Sequence, residues 1–195
     1  MAKKYYRFFG GLLTAQEKWL NRMARKGYRL IRTKKLLYEF EECANGQMQY
    51  RVEFIGVKSK GNAATYHDFL EDMGYRVFYK NINLNYSIGK MRLRPWAEQG
   101  GRIATNSTTF NRELLLVEKE NDGKPFELHT TYEDRLDYCR SLRNPYLFLF
   151  VVSAALCLFQ KAWQWGIFAG FSLIPLILYQ IELMKLKKLA KSKEW

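Results

Sequence analysis

The chain predicts an α+β domain followed by a two-helix membrane hairpin, and three observations carry that expectation. Alternating apolar and polar runs bounded by turn residues mark strands ahead of residue 120. Amphipathic stretches that stop at glycine mark two helices among them, and two near-continuous apolar blocks fill the C-terminal part.

The blocks set the layout. PYLFLFVVSAALCLF and GIFAGFSLIPLILYQIELM, separated by QKAWQW, occupy residues 145–184, and each approaches the roughly 20 residues a bilayer crossing needs. Trp163 and Trp165 stand where one interface would fall, with Tyr146 and Tyr179 nearer the other. Arg135, Arg140 and Arg143 precede the first block, and Lys185, Lys187, Lys188, Lys191 and Lys193 follow the second, whereas the loop offers only Lys161. The positive-inside rule therefore predicts a two-pass inner-membrane protein with both termini in the cytoplasm. No acidic residue, His or Arg interrupts the blocks ahead of Glu182, which argues against a transporter or channel. Pro175 predicts a kink, and the Gly166 and Gly170 spacing predicts close packing on Ser153 and Ala154, or a homo-oligomer face.

The 144 residues ahead of the hairpin suffice for one domain with its own core. Net charge is +13, of which +9 precedes residue 145, +1 is Lys161 and +3 lies from Glu182 onward. That distribution suits an anionic inner leaflet. The basic pairs Lys34-Lys35 and Arg92 with Arg94 are too sparse to favour nucleic acid. Cys43, Cys139 and Cys157 are odd in number and widely spaced, so they form neither a disulfide framework nor a metal motif and fit a reducing cytosol. Met1 to Phe9 is basic and aromatic, unlike the apolar core of a signal peptide.

In order, Lys3 to Phe9 reads as a first strand, bounded by Gly10-Gly11. Thr14 to Lys26 reads as a helix with a Thr14/Glu17 capping box, an Ala15, Trp19, Leu20, Met23 face and a left-handed C-cap at Gly27. Tyr28 to Arg32 restarts as strand. Leu36, Tyr38 and Phe40, then Tyr50, Val52 and Phe54, alternate on either side of Asn45-Gly46, which predicts a hairpin. A second helix runs from Asn62 or Ala63 to Met73 with Tyr66, Phe69, Leu70 and Met73 on one face, stops at Gly74, and gives way to a strand at Tyr75 to Tyr79. WLNRMARKGYRL at 19–30 and FLEDMGYRV at 69–77 echo one another, and together these elements fit a ferredoxin-like βαββαβ antiparallel sheet. Residues 81–110 keep only some alternation, at Leu84, Tyr86 and Ile88, and read as an insertion. Glu113 to Lys119 is the last strand, and after an Asn121-Asp122-Gly123 turn and an extended Phe126 to His129, Thr130 and Glu133 cap a third helix. Tyr132, Leu136 and Cys139 make that helix amphipathic, and Asn144-Pro145 should break it. The expected domains are thus 1–129, a connector at 130–144, the hairpin at 145–184 and a basic tail at 185–195.

KWLNRMARKGYRL, QYRVEFI, FLEDMGYR and ELLLVEKENDGKPFELHTTYEDRLDYCR, taken together from about Lys4 to Arg140, resemble the bacterial domain-of-unknown-function 2812 family in motif and order. The most specific positions are Trp19, Leu20, Met23, Gly27 and Tyr28, and Phe126, Glu127, Leu128, Thr130, Glu133 and Tyr138. The resemblance implies a small cytoplasmic domain, often followed by transmembrane helices and encoded beside PadR-type transcriptional repressors. It implies no activity, and the insertion at 81–110 departs from the pattern.

No catalytic set emerges. His67, beside Asp68 on the expected outer side of the second helix, and His129 lack partners at ligand or triad spacing. Glu39, Glu41, Glu42 and Glu53 have Arg51 and Lys35 at hand for cross-strand pairing, and Gly100-Gly101 matches no nucleotide loop. Lys58, Lys60, Gly61 and Asn62, ahead of the second helix, form a candidate anion site. We therefore expect a non-enzymatic regulatory or adaptor domain, without cofactor or metal, that binds a protein partner through Trp19, Tyr28, Tyr38, Phe40, Tyr50, Phe54, Arg92, Arg94 and Trp96. Its membrane-interface residues are Tyr146, Trp163, Trp165, Lys185, Lys187 and Lys188. The alternative is a ligand sensor whose pocket is lined by Tyr5, Phe8, Tyr38, Phe40, Tyr50 and Phe54.

Overall fold

The computed structural model describes residues 2–55, 60–82, 86–88, 91–93, 103–104, 114–126, 128 and 132–191. The chain divides into two compact units, Met1–His129 and Thr130–Trp195.

The first unit is α+β. Strand β1 (Lys3–Tyr6), helix α1 (Leu13–Arg25) and strands β2 (Tyr28–Thr33) and β3 (Leu37–Glu42) make an antiparallel sheet of order β1-β3-β2. Strand β4 (Met48–Phe54), helix α2 (Lys60–Asp72) and strand β5 (Arg76–Lys80) are joined by β9 (Leu114–Glu120) in a second sheet of order β4-β9-β5. Between β5 and β9 lie β6 (Tyr86–Ile88), β7 (Met91–Leu93) and β8 (Ile103–Ala104), a small antiparallel sheet inside the segment read as an insertion, with β6 on the alternation at Tyr86 and Ile88.

The expected single βαββαβ sheet is thus replaced by two β-α-β-β copies. In each, the helix links two outer strands and the last strand enters between them. The Asn45-Gly46 turn exists, with Gly46 at φ +71°, but it does not close a hairpin. Cys43 N–H donates to Gly27 O (2.9 Å) and Gly46 N–H to Ala24 O (2.8 Å), so the turn caps the last carbonyls of α1 and sends β4 to the other sheet. The echo in the sequence marks the copies, with one correction. The same distance along the chain separates Leu13 from Lys60, Arg25 from Asp72, Gly27 from Gly74 and Arg29 from Arg76, so the repeat is anchored on Gly-Tyr-Arg and not on the aromatic-Leu pair.

Both repeat glycines have positive φ, +79° at Gly27 and +83° at Gly74. They differ in space. A Cβ on Gly27 would meet Asn45 Oδ1 at 2.5 Å and Cys43 O at 2.8 Å, whereas one on Gly74 would meet nothing within 4 Å. Gly74→Ala should therefore cost only the left-handed strain, about 1–2 kcal/mol, and Gly27→Ala clearly more, because the capping turn must move. Parallel thermal melts of the two variants check this ordering; equal shifts would sink it.

Helix α1 starts at Leu13 with no side-chain cap, so the Thr14/Glu17 box does not form. Glu17 is drawn away instead: one oxygen meets Arg51 Nη1 at 2.7 Å and the other accepts from Val52 N at 3.2 Å. One turn on, Asn21 Nδ2 donates to Tyr50 O (2.8 Å) while its Oδ1 accepts from Tyr50 N (2.9 Å). Side chains of α1 therefore satisfy the outer edge of β4, which would otherwise be open to pairing with another chain. Trp19, Leu20, Met23 and Ala24 of α1 are buried with Leu30, Tyr38 and Phe40 of the first sheet. The second core joins Leu70 of α2 to Ile55, Val77, Leu115 and Val117, with Phe126 and Leu128 packed against it. Leu114 to Glu118 are all buried, as a strand between two others and covered on both faces requires.

The second unit is a pair of 29-residue helices, α3 (Tyr132–Gln160) and α4 (Trp163–Lys191), joined by two residues where a loop of six was expected. Arg135–Gln160 and Trp163–Ala190 are each long and apolar enough to cross a membrane. Asn144-Pro145 does not end a connector helix: α3 passes through it, as α4 passes through Pro175 and on into the basic tail. A proline in a helix removes one N–H bond, and here Tyr146 stacks on Tyr179 across the pair at 5.8 Å and holds the segment in place. A Cβ on Gly166 would meet Cys157 Sγ at 3.5 Å, while one on Gly170 would meet nothing within 4 Å. Ser153 and Ser172 are buried but bonded to carbonyls of their own helices. The helix cap of Thr130 and Glu133 lies outside the described side chains.

Candidate functional site

The two copies meet along a seam of polar side chains. Glu118 on β9 is 2% exposed. Its Oε2 accepts from Tyr50 OH at 2.6 Å and its Oε1 from Arg29 Nε at 2.8 Å. Tyr50 OH in turn accepts from Leu30 N at 2.7 Å, beside the bulge in the β2–β3 register. Arg76 Nη1 lies 3.9 Å from the same carboxylate. The arginines of both Gly-Tyr-Arg repeats thus converge on one buried acid. Burial, reinforced by the Glu118 charge, pushes the Tyr50 phenol above its ordinary range, so it remains a donor at any physiological pH.

A second seam contact is Lys80, 3% exposed at the end of β5. Its ammonium donates to the carbonyls of Lys34 and Leu37 in the β2–β3 turn and lies 3.9 Å from the Tyr38 ring centroid. Burial pushes its pKa from the usual 10.5 down to about 7. The folded protein therefore holds this proton less tightly than the unfolded chain. Its contribution is flat below pH 7, where both forms are charged, and stability rises as pH climbs from about 7 toward 10.5. Replacing Lys80 with Met should remove that rise, up to about 1.4 kcal/mol per pH unit. Melting temperatures of wild type and variant across this range measure it, and parallel profiles would show that the ammonium is not held as described.

Of the expected partner surface, Trp19, Tyr38, Phe40, Tyr50 and Phe54 are buried, and only Tyr28 is half-exposed. They are core because they occupy the inward positions of their strands and of α1. Trp19 has the rings of Tyr5, Phe9, Tyr38 and Phe40 around it at 4.9–6.3 Å, so these aromatics fill one another's space and do not line a pocket; Phe8 is exposed. Arg92 lies on β7. Its side chain, like Arg94 and Trp96, is outside the described residues. Of the expected anion site, Lys58 is also outside them, and Lys60, Gly61 and Asn62 form the first turn of α2 rather than preceding it.

The acids of the expected hairpin separate. Glu42 pairs with Lys3 at 3.2 Å, Glu41 and Glu39 stand opposite Arg29 and Arg32, and Glu53 accepts from Tyr66 OH at 2.6 Å in the other sheet. His67 is not on an outer face: its ring stacks on Tyr79 at 4.7 Å. Asp68 and Glu71 lie close enough to share a cation with it, but both are exposed members of the same helical turn. Neither Glu118 nor Lys80 was recognisable in the sequence as a buried charge. The repeated Gly-Tyr-Arg was the available signal for the first; nothing local marks the second, whose acceptors come from a distant turn. On the second unit, Trp163 and Lys185, Lys187 and Lys188 are exposed, and Trp165 Nε1 donates to Gln160 Oε1 at 2.9 Å across the helix connection.

Compared with known proteins, residues 13–151 match the model of a family described as "Protein of unknown function (DUF2812)". No curated protein and no solved structure matches the chain.

Proposed function

The chain belongs to the DUF2812 family, and from that premise we propose that it is a non-enzymatic regulatory or adaptor protein. In this reading the α3–α4 hairpin holds the α+β unit at the cytoplasmic face of the inner membrane, with both termini inside, and the unit acts by binding a protein partner. The observation that supports this most is the contrast between the two units. The first has its own cores, and its buried charges are engaged internally: Glu53 by Tyr66, Glu118 by Tyr50 and Arg29, Lys80 by two carbonyls. The second exposes apolar side chains around its whole girth, among them Phe148, Leu158, Phe159, Phe171 and Ile174, which water would not tolerate at this density.

The partner would cover surface apolar groups rather than the buried aromatics. Phe69 on α2 and Met73 just past its end are exposed, and Tyr6 and Phe8 are exposed at and just beyond β1. The family resemblance makes a PadR-type repressor the first candidate. Capture of the full-length protein from native membranes, after alkaline carbonate washing, tests both halves of the reading. The expected result is a protein that stays in the membrane fraction and brings down a stoichiometric partner, lost in a Phe69→Asp, Met73→Asp double variant. A protein released by carbonate would overturn the anchor, and one recovered alone would overturn the adaptor role.

A further inference from the structure

We propose that the α3–α4 pair carries a binding site for one anionic phospholipid, with the lipid phosphodiester on Arg143 and an acyl chain in the adjoining groove; this rests on the membrane reading above. The groove has a volume of about 380 Å³ and is lined by Leu147 of α3 and by Leu176, Ile177, Ile181 and Met184 of α4. Two polar residues, Arg143 and Gln180, meet within it, with Leu176 and Ile177 one turn before Gln180 on α4, Leu147 one turn after Arg143 on α3, and Met184 one turn beyond Gln180. A cation with an apolar wall of Leu147, Leu176 and Ile177 running from it toward the middle of the helix pair matches a lipid headgroup and its tail, and the volume lies within the roughly 300–1,000 Å³ usual for small-ligand sites.

The state of Arg143 is the second observation. Its Nη1 donates to Gln180 Oε1 at 3.1 Å and its Nη2 to Asn144 Oδ1 at 2.9 Å, both neutral acceptors. Its Nε is buried and has no acceptor. Among the described residues no carboxylate lies within ion-pairing distance of this guanidinium. The buried Glu182 carboxylate shares the neighbourhood of Cys139 with it but makes no ion pair with it, so the unfilled Nε–H and the amide-bonded fork are left to be met by a second anion. A phosphodiester is such an anion, and its oxygens suit the planar fork of arginine.

Position favours a lipid over free phosphate. Tyr146 and Tyr179, stacked beside the groove, are the kind of rings that settle at headgroup depth. Exposed Lys185, Lys187 and Lys188 continue α4 past Met184 and make this end of the pair strongly positive. They raise the local concentration of anionic lipid; Arg143 and the groove select one molecule from it.

The full-length protein in detergent is titrated with phosphatidylglycerol and, separately, with phosphatidylcholine, and both binding and thermal stability are followed. Saturable binding of phosphatidylglycerol with a rise in melting temperature is expected, and at least tenfold weaker binding of phosphatidylcholine. Arg143→Gln should weaken phosphatidylglycerol binding about tenfold, and Ile177→Trp, which fills the groove and leaves the charge, should do the same. Lys187→Gln with Lys188→Gln should change it less than threefold. Inorganic phosphate at equal concentration should neither stabilise the protein nor compete. Equal affinity for the two lipids, competition by phosphate alone, or unchanged binding in both Arg143→Gln and Ile177→Trp would each overturn the site. A protein that resists carbonate extraction yet shows one of these results refutes the lipid site alone, whereas extraction by carbonate removes the membrane premise itself.

Discussion

Replacing Trp19 with alanine should lower the stability of the α+β unit by about 4 kcal/mol, the upper range for truncating a buried aromatic. The side chain lies at the centre of the first copy's core. Tyr38 meets it edge-on at 4.9 Å, Phe9 at 5.5 Å, Phe40 at 5.6 Å and Tyr5 at 6.3 Å, and the Arg7 guanidinium covers its ring at 5.5 Å. Removing the indole leaves a void that these rings cannot fill together, because Tyr38 and Phe40 are fixed on the middle strand of the sheet and Tyr38 OH also accepts from Gln16 Nε2. Trp19→Phe keeps part of the volume and should cost less than half as much. Denaturant unfolding of the three proteins measures both; a loss below about 1 kcal/mol for alanine would show that the ring cluster does not organise this half.

The second large effect is expected at Glu118. Substitution by alanine takes the carboxylate acceptor of Tyr50 OH and the ion partner of Arg29 at once. A buried hydroxyl left without an acceptor and a cation left without its acid together cost about 3 kcal/mol, with the Arg29 share discounted because that side chain is one-third exposed. The two-copy arrangement gives a sharper check than the single value. Tyr50→Phe and Glu118→Ala should each destabilise, and their double variant should cost less than the sum, since both remove the same bond. Strict additivity would mean that the seam is not one network.

Much of the element pattern was legible, and the pairing of the elements was not. Gly27 and Gly74 announced the helix ends because only a residue at ease with positive φ can stand there, and the alternation at Tyr38, Phe40, Tyr50, Val52 and Phe54 marked strands with one buried side. The Asn-Gly turn misled because a hairpin and a helix-capping turn share the same local chemistry, and contacts to Gly27 and Ala24 decide between them. Glu17 misled for the same reason: the box pattern was present, yet Arg51 and Val52 offered it better partners from a strand that local reading cannot place beside α1. The aromatics expected to bind a partner or line a pocket, Trp19, Tyr38, Phe40, Tyr50 and Phe54, are buried core. Their inward position is also what disqualifies them as a partner surface. Arg143 went unnoticed as a site because its meaning depends on which residues of α4 lie opposite.

The insertion between β5 and β9 also sets an order of events during synthesis. In the first copy, three residues separate β2 from β3, so its sheet is complete once residue 42 has left the ribosome. The second copy cannot close until Leu114–Glu120 emerges, and at roughly 5–20 residues per second its β4, α2 and β5 wait some seconds with the central strand missing. During that interval the outer edge of β4 is already held by Glu17 and Asn21 of the finished half, while its inner edge is open. The earlier copy thus acts as a template that keeps the nascent later one from pairing with a neighbour's chain. Both copies are finished before the apolar helices that follow them leave the exit tunnel.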